Sequence, residues 1–345
     1  MLNPRPLADY QEALKSKTFH KMIIGAALKD FELIKDYSYL FTHAQVEVLD
    51  ISAFPHSVIS AQSGIKQALE EDPSLVEPLI MISINIGEDP HFRRIELNRD
   101  NCTDCQACIP TCPSNAFWMD NNNYFQYNPD YCFGCSNCLP ACEFSALSFN
   151  LWSPFSYDSI SELASLGAKA IEIHLNDDLC AFENFYNRLE KNLFELESFC
   201  IGSTINDENQ LIKSADAVIK NFFKKYPQKK ICLLQVDGEA LSGARFNKEE
   251  AKDQISITKA KIIINHIEQK HSEYRERIFV QVAGGITEKT FSKIRLLKVD
   301  VNGVAIGSYA RKYLEDNRRE KNLDVPELKI LARDLILASK TVKNP

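Results

Sequence analysis

Eight of the 11 cysteines lie between Cys102 and Cys142, and they fall in two copies of one spacing. The stretch CTDCQACIPTCP sets Cys102, Cys105, Cys108 and Cys112 in a C-x2-C-x2-C-x3-C-P run. CFGCSNCLPAC sets Cys132, Cys135, Cys138 and Cys142 at the same intervals. The start, MLNPRPLADYQEALKSK, carries no apolar secretory segment, and no run approaches the roughly 18 apolar residues that cross a bilayer. The expected compartment is therefore the cytoplasm, with no membrane span, and there dense cysteine argues for metal ligation rather than disulfides.

A tight three-cysteine loop wraps one cubane with three thiolates and hands the fourth, more distant cysteine to the neighbouring cluster. The spacing thus predicts two 4Fe-4S clusters with crossed ligands: Cys102, Cys105, Cys108 and Cys142 on the first, Cys132, Cys135, Cys138 and Cys112 on the second. Small residues between them, Thr103, Ala107, Gly134 and Ser136, are where backbone amides turn inward to the sulfurs. Zinc ribbons use two short pairs separated by a longer spacer, which this is not. Pro113 follows the first remote ligand, whereas Glu143 stands after Cys142 and reads as a solvated acid. The formal charge is −7; eight thiolates and two oxidised cores take it to about −11. With acids spread along the chain, nucleic acid is excluded as the main partner.

Outside the cassette, short apolar runs alternate with helical patterns, the signature of βα units. Eight runs read as strands covered on both faces: KMIIGAA, VEVLDIS, LIMISINI, AIEIHL, SFCIGSTI, ICLLQV, IFVQVA and VNGVAIGS. Helical patterns cover 31–43, 57–71, 158–166, 180–193, 208–225, 249–270, 288–297 and the C-terminal 325–340. The fold class is therefore α/β, a (β/α)8 TIM-like barrel with an inserted α+β bacterial-type 2[4Fe-4S] ferredoxin module. Residues 1–90 supply the first part of the barrel and strands one to three. Residues 91–150 form the module, projecting from the C-terminal face, and 151–345 supply strands four to eight and the C-terminal helix.

The ends of the last two strands, VAGGIT and VAIGSYAR, place Gly284, Gly285, Gly307 and Ser308 where barrels bind a phosphate through backbone N–H groups. Asp50, Asn85, Glu172, His174, Asn176, Gln235, Asp237 and Gln281 stand at strand ends as candidates for the mouth, Glu172 and His174 on one face. No nucleophile elbow, metalloprotease helix or Walker loop accompanies them, so no catalytic residue is assigned. Cys180, Cys200 and Cys232 read as isolated buried thiols.

A doubled ferredoxin motif inside a barrel whose ends read MIIGAALKD and GVAIGSYAR resembles the cyanobacterial light-dependent period (LdpA) family, iron–sulfur modulators of the circadian clock. The likeness runs from the Lys21 strand through AKAIEIH to Tyr309, Ala310 and Arg311. It implies the eight cysteines as cluster ligands, redox sensing without turnover, and clock-input proteins or redox partners as the receivers. Two alternatives stay open: a ferredoxin-linked flavin oxidoreductase, with FMN or another phosphate-bearing ligand on the four mouth residues, and a simple electron carrier.

Overall fold

The structure, a computed structural model, describes residues 7–340 apart from 88, 113, 133, 152–156, 203–204, 206, 229 and 239–248. Eight parallel strands close into a barrel: β1 (Phe19–Gly25), β2 (Val48–Ser52), β3 (Leu79–Asn85), then β8 (Ala170–His174), β9 (Leu196–Ile201), β10 (Cys232–Asp237), β11 (Ile278–Ala283) and β12 (Gly303–Ile306), which returns to β1. Every strand expected from sequence is present. Between β3 and β8 the chain leaves to form two antiparallel pairs, β4 (Arg93–Leu97) with β7 (Leu147–Leu151) and β5 (Phe117–Met119) with β6 (Phe125–Tyr127).

The outer ring is α2 (Phe31–His43), α3 (Pro55–Glu71), α4 (Tyr157–Ser165), α5 (Leu179–Arg188), α6 (Glu208–Lys225), α7 (Glu249–Lys270), α8 (Glu288–Leu296) and α9 (Ser308–Lys321). Aspartates start three of them, Asp30, Asp178 and Asp207 each accepting the backbone N–H of the residue three positions on. Two helices depart from the sequence expectation. The crossover after the eighth strand is α9, so α10 (Val325–Lys340) is an extra helix packed on α2 and α9. In addition, α1 (Leu7–Lys15) puts Tyr10 and Leu14 against the inward Phe19, Val48, Leu79, Ala170, Leu196, Leu233 and Phe279. The sequence predicts 325–340 as a helix but not α1 or α9, whose charged faces hide the apolar stripe in a linear reading.

Inward side chains change character along the barrel axis. The layer next to α1 is apolar. Two residues further along six of the strands, on the same face by the period of two, come Lys21, Asp50, Glu172, Ser198, Gln235 and Gln281, all buried, while β3 keeps the apolar Met81 at this level. The next step brings His174, Cys200 and Asp237. An apolar plug at the N-terminal end and polar groups toward the C-terminal end place any chemistry at the face from which the module emerges.

Candidate functional site

Each half of the cassette repeats the other at an offset of 30 residues in backbone as well as sequence. Asp104 and Gln106 in the first loop, like Gly134 and Ser136 in the second, adopt the left-handed conformation, with φ of 53, 65, 66 and 64°. Asn115 and Ser145 match in the same way. These turns aim amides at sulfur: Ala116 N–H donates to Cys112 Sγ at 3.2 Å and Ala146 N–H to Cys142 Sγ at 3.4 Å. Gly134 N–H reaches Cys132 Sγ at 3.3 Å. In the first loop Asp104 and Gln106, rather than Thr103 and Ala107, make the turn, so small size is not what that loop selects. Pro113 lies outside the described residues, and Glu143 is exposed as expected.

The cysteines gather across the two motifs. Cys102, Cys105, Cys108 and Cys142 line one hollow, with Phe125, Phe144 and Leu147 around it. Burial pushes the Cys108 thiol up to about 11, and the neighbours that push it further are Cys105, Cys102 and Cys142. Burial likewise lifts Cys138 to about 12, helped by Cys135, Cys132 and Cys112. Crowded thiols that resist ionisation on their own are what a cationic metal core relieves, because coordination replaces the proton. The donor set, its grouping and its amide bonds therefore fit iron–sulfur clusters.

A seven-residue segment joins this module to the barrel. Ile95 N–H donates to Cys132 Sγ at 3.4 Å. The buried Arg94 guanidinium donates to the carbonyl of Ala27, in the loop after β1, and to Asp130 at 3.1 Å. The Phe92 ring stands edge-on to His174, with centroids 5.2 Å apart. Asp89 accepts from the His91 backbone at 2.7 Å and contacts the His91 ring at 2.8 Å and the His174 ring at 3.1 Å.

The barrel mouth itself is a cavity of about 90 Å³ lined by Asp50, Glu172, His174, Gln235 and Asp237 from the strands and His91 from the segment. Gly284, Gly285, Gly307 and Ser308 form part of its rim, Ser308 opening α9. A Cβ at Gly284, whose φ is 79°, would run into Asp237 Oδ1. Of the other strand-end candidates, Asn176 accepts from Asp178 N–H, and Gln281, level with Gln235 but not part of the cavity lining, donates to it. Asn85 donates to the Gly87 carbonyl.

Beneath the cavity lies Lys21, 1% exposed, whose Nζ contacts Glu172 and, at 3.1 Å, Asp50. Burial opposes its charge, but those two carboxylates outweigh it and hold the lysine protonated above its ordinary value. Glu172 also accepts from Ser198 and Gln235, both at 2.8 Å; burial works to raise its pKa, yet the Lys21 charge holds it low. The net stabilisation from such a pair is small, but breaking it is costly, so it fixes one arrangement of the strands. Sequence reading missed Lys21, Asp89 and His91. A lysine in the otherwise apolar FHKMIIG, at an inward period-two position, is the available signal for the first; nothing local marks the other two. Of the three lone cysteines, Cys180 is exposed, which corrects the buried reading, while Cys200 and Cys232 are buried.

A (β/α)8 barrel carrying a cysteine module of this geometry defines an iron–sulfur protein. Residues 101–146 match the family described as 4Fe-4S dicluster domain, and residues 162–333 match Light dependent period A C-terminal domain. The chain belongs to the light dependent period A family. It is 27% identical over 316 residues to the protein described as Light dependent period A of Synechococcus elongatus, covering 88% of this chain and 83% of that protein. Among solved structures it is similar to the YdjI aldolase of Escherichia coli K12 (TM-score 0.46, 8% identity, 99% of this chain and 96% of that one). It is also similar to a tryptophan synthase alpha subunit of Legionella pneumophila (TM-score 0.46, 9% identity, 97% of each chain). No helix among the described residues is long and apolar enough to cross a membrane.

Proposed function

We propose that this protein is a cytoplasmic redox sensor holding two 4Fe-4S clusters, one on Cys102, Cys105, Cys108 and Cys142 and one on Cys132, Cys135, Cys138 and Cys112. On this reading it passes cellular redox state, and through it light, to clock-input proteins or redox partners. The observation that carries the reading is the gathering of the cysteines across the two motifs; family membership supplies the clock. Bound clusters supply reversible one-electron reduction, each electron adding a negative charge. The chain's own contribution is to make that charge felt outside the module. Ile95 N–H touches Cys132, Arg94 ties the neighbouring residue to the Ala27 carbonyl, and Asp89 and His91 lie in the barrel mouth. A charge change at Cys132 is thus a few bonds from the loop after β1, a surface that a partner can read.

Anaerobic protein with about eight iron and eight sulfide per chain is the starting material. Binding to clock-input proteins in the oxidised and dithionite-reduced states should differ by about 5- to 150-fold, the usual range for coupled sites. R94A should flatten the difference. Equal binding in the two states would overturn the sensor. A second reading draws on Gly284, Gly285, Gly307 and Ser308, which ring the cavity as a phosphate cradle would. It takes the chain as an FMN oxidoreductase and predicts free FMN in the supernatant after acid precipitation.

A further inference from the structure

Three buried donors of different chemistry meet at the upper layer of the barrel: Glu172, His174 and Cys200, which are 0, 4 and 0% exposed. One donor atom from each lies within 4.8 Å of the others. The strands dictate this meeting. Glu172 and His174 share the inward face of β8, and His174 is directly opposite Cys200 on β9.

His174 Nε2 stands 3.2 Å from a Glu172 oxygen, yet it has no hydrogen-bond partner among the described residues. A buried polar nitrogen without a bond is costly and asks for an explanation. Across the same ring, Nδ1 contacts Asp89 Oδ2 at 3.1 Å, and the other oxygen of Asp89 contacts His91 Nδ1 at 2.8 Å. Metal-binding histidines have this arrangement, with one ring nitrogen held by a carboxylate and the other facing further donors. Two donors each about 2.0–2.1 Å from a tetrahedral ion stand about 3.3–3.4 Å apart, close to the separation seen here.

We propose that Glu172, His174 and Cys200 form a mononuclear site for a zinc-class divalent cation, with Asp89 as the carboxylate that orients His174. Thiolate, imidazole and carboxylate together select a borderline metal over calcium or magnesium, which take oxygen. Three protein ligands leave a fourth position open; Glu172 and His174 line the cavity together with Asp237, whose Oδ1 is buried and unbonded among the described residues. Binding exchanges the Cys200 thiol proton for the metal. The Asp216, His266 and His271 group differs: there Nε2 of each histidine already contacts Asp216 Oδ1, at 2.6 and 2.7 Å, so neither of those nitrogens stands unbonded as His174 Nε2 does. Because Asp89 belongs to the segment that leads into the cysteine module, the site also ties that module to the barrel.

The test is elemental analysis of anaerobically prepared holoprotein dialysed against micromolar zinc and then zinc-free buffer. The expected result is about one zinc per chain beside the full iron content. C200A and H174Q should each lower zinc occupancy at least tenfold with iron and circular dichroism unchanged, and D89N should weaken zinc about 10- to 100-fold. H266A with H271A should change nothing. Zinc K-edge absorption of the unaltered protein needs no variant: one sulfur with nitrogen and oxygen neighbours supports the site, whereas four sulfurs would put zinc in the cysteine cassette and overturn it. Absence of bound zinc, or full occupancy in C200A and D89N alike, would also overturn it. Iron content reports separately on the cluster reading.

Discussion

The cysteine module and the barrel mouth are both built from converging polar donors, but they are assembled by opposite means. In the module, eight donors come from 41 consecutive residues in two loops of one conformation. Its chemistry is therefore written into local spacing. In the mouth, Lys21, Asp50, Glu172, Cys200, Asp237 and the inserted Asp89 come from six separate stretches, and only closure of the sheet brings them together. The difference teaches where damage should be confined: a lost cysteine of the module ought to empty one cluster, while loss of a charge from the buried Lys21, Asp50 and Glu172 network ought to be felt by the whole barrel.

The sharpest break is in the module. C112S should remove about half of the iron, and C112S with C132S should remove no more, because the proposed crossed ligation puts both on one cluster. C112S with C102S should empty both. If instead C112S with C102S spares half the iron, the fourth legs are not exchanged. Thermal unfolding of the barrel should move little in these variants, which iron analysis and circular dichroism on the same samples would establish.

The corresponding break in the barrel is K21M. It leaves Glu172 and Asp50 facing each other in the interior without their cation, a loss of about 3–5 kcal/mol by urea denaturation. Adding E172Q should recover part of that loss. Iron content, measured anaerobically in the folded fraction, should stay level. A K21M protein as stable as the parent would mean that the interior network carries no structural constraint.

The same contrast decides what a linear sequence can show. The strands are readable because each is a short apolar run covered on both faces, and the 4Fe-4S dicluster domain because cysteine spacing survives in the linear chain. Glu172 and His174 were placed on one face by the period of two. Cys200 reads in sequence as an isolated buried thiol because its partners are on another strand; register brings it opposite His174. Asp89 and His91 stand in what reads as a plain exit loop, and their role exists only once the insertion folds back over the mouth. Cys180 is exposed for a simpler reason: it lies in the first turn of α5, where nearby apolar residues face the other way.

Where the two regions touch, G134A offers an intermediate effect. Gly134 has a φ of 66°, and a Cβ there would run into the Arg93 carbonyl, so the loop must shift away from β4. The expected cost is about 1–3 kcal/mol, the usual figure for such backbone strain. It should be localised: amide exchange should quicken in β4 and β7 and stay unchanged in β10 and β11. S136A, at an equivalent turn that already carries a side chain, should show much less.

The smallest effect belongs to a tie that serves neither region. Asp216 on α6 contacts His266 and His271 at the end of α7. Partial burial works to raise its carboxyl, but the hydrogen bonds from His271 and His266 outweigh burial and hold it below its ordinary value of 3.8. A folded-state pKa below the unfolded one means stability that is present above the unfolded value and lost as pH falls through the folded one. Because the carboxylate is largely open to solvent, screening limits the gain to less than about 1 kcal/mol. D216N should therefore lower the urea midpoint slightly near neutral pH, and the gap from the parent should close on acidification below 3.8. Iron and zinc contents should be untouched, since this contact lies in the helical ring and neither the cysteine loops nor the inward face of the sheet depends on it.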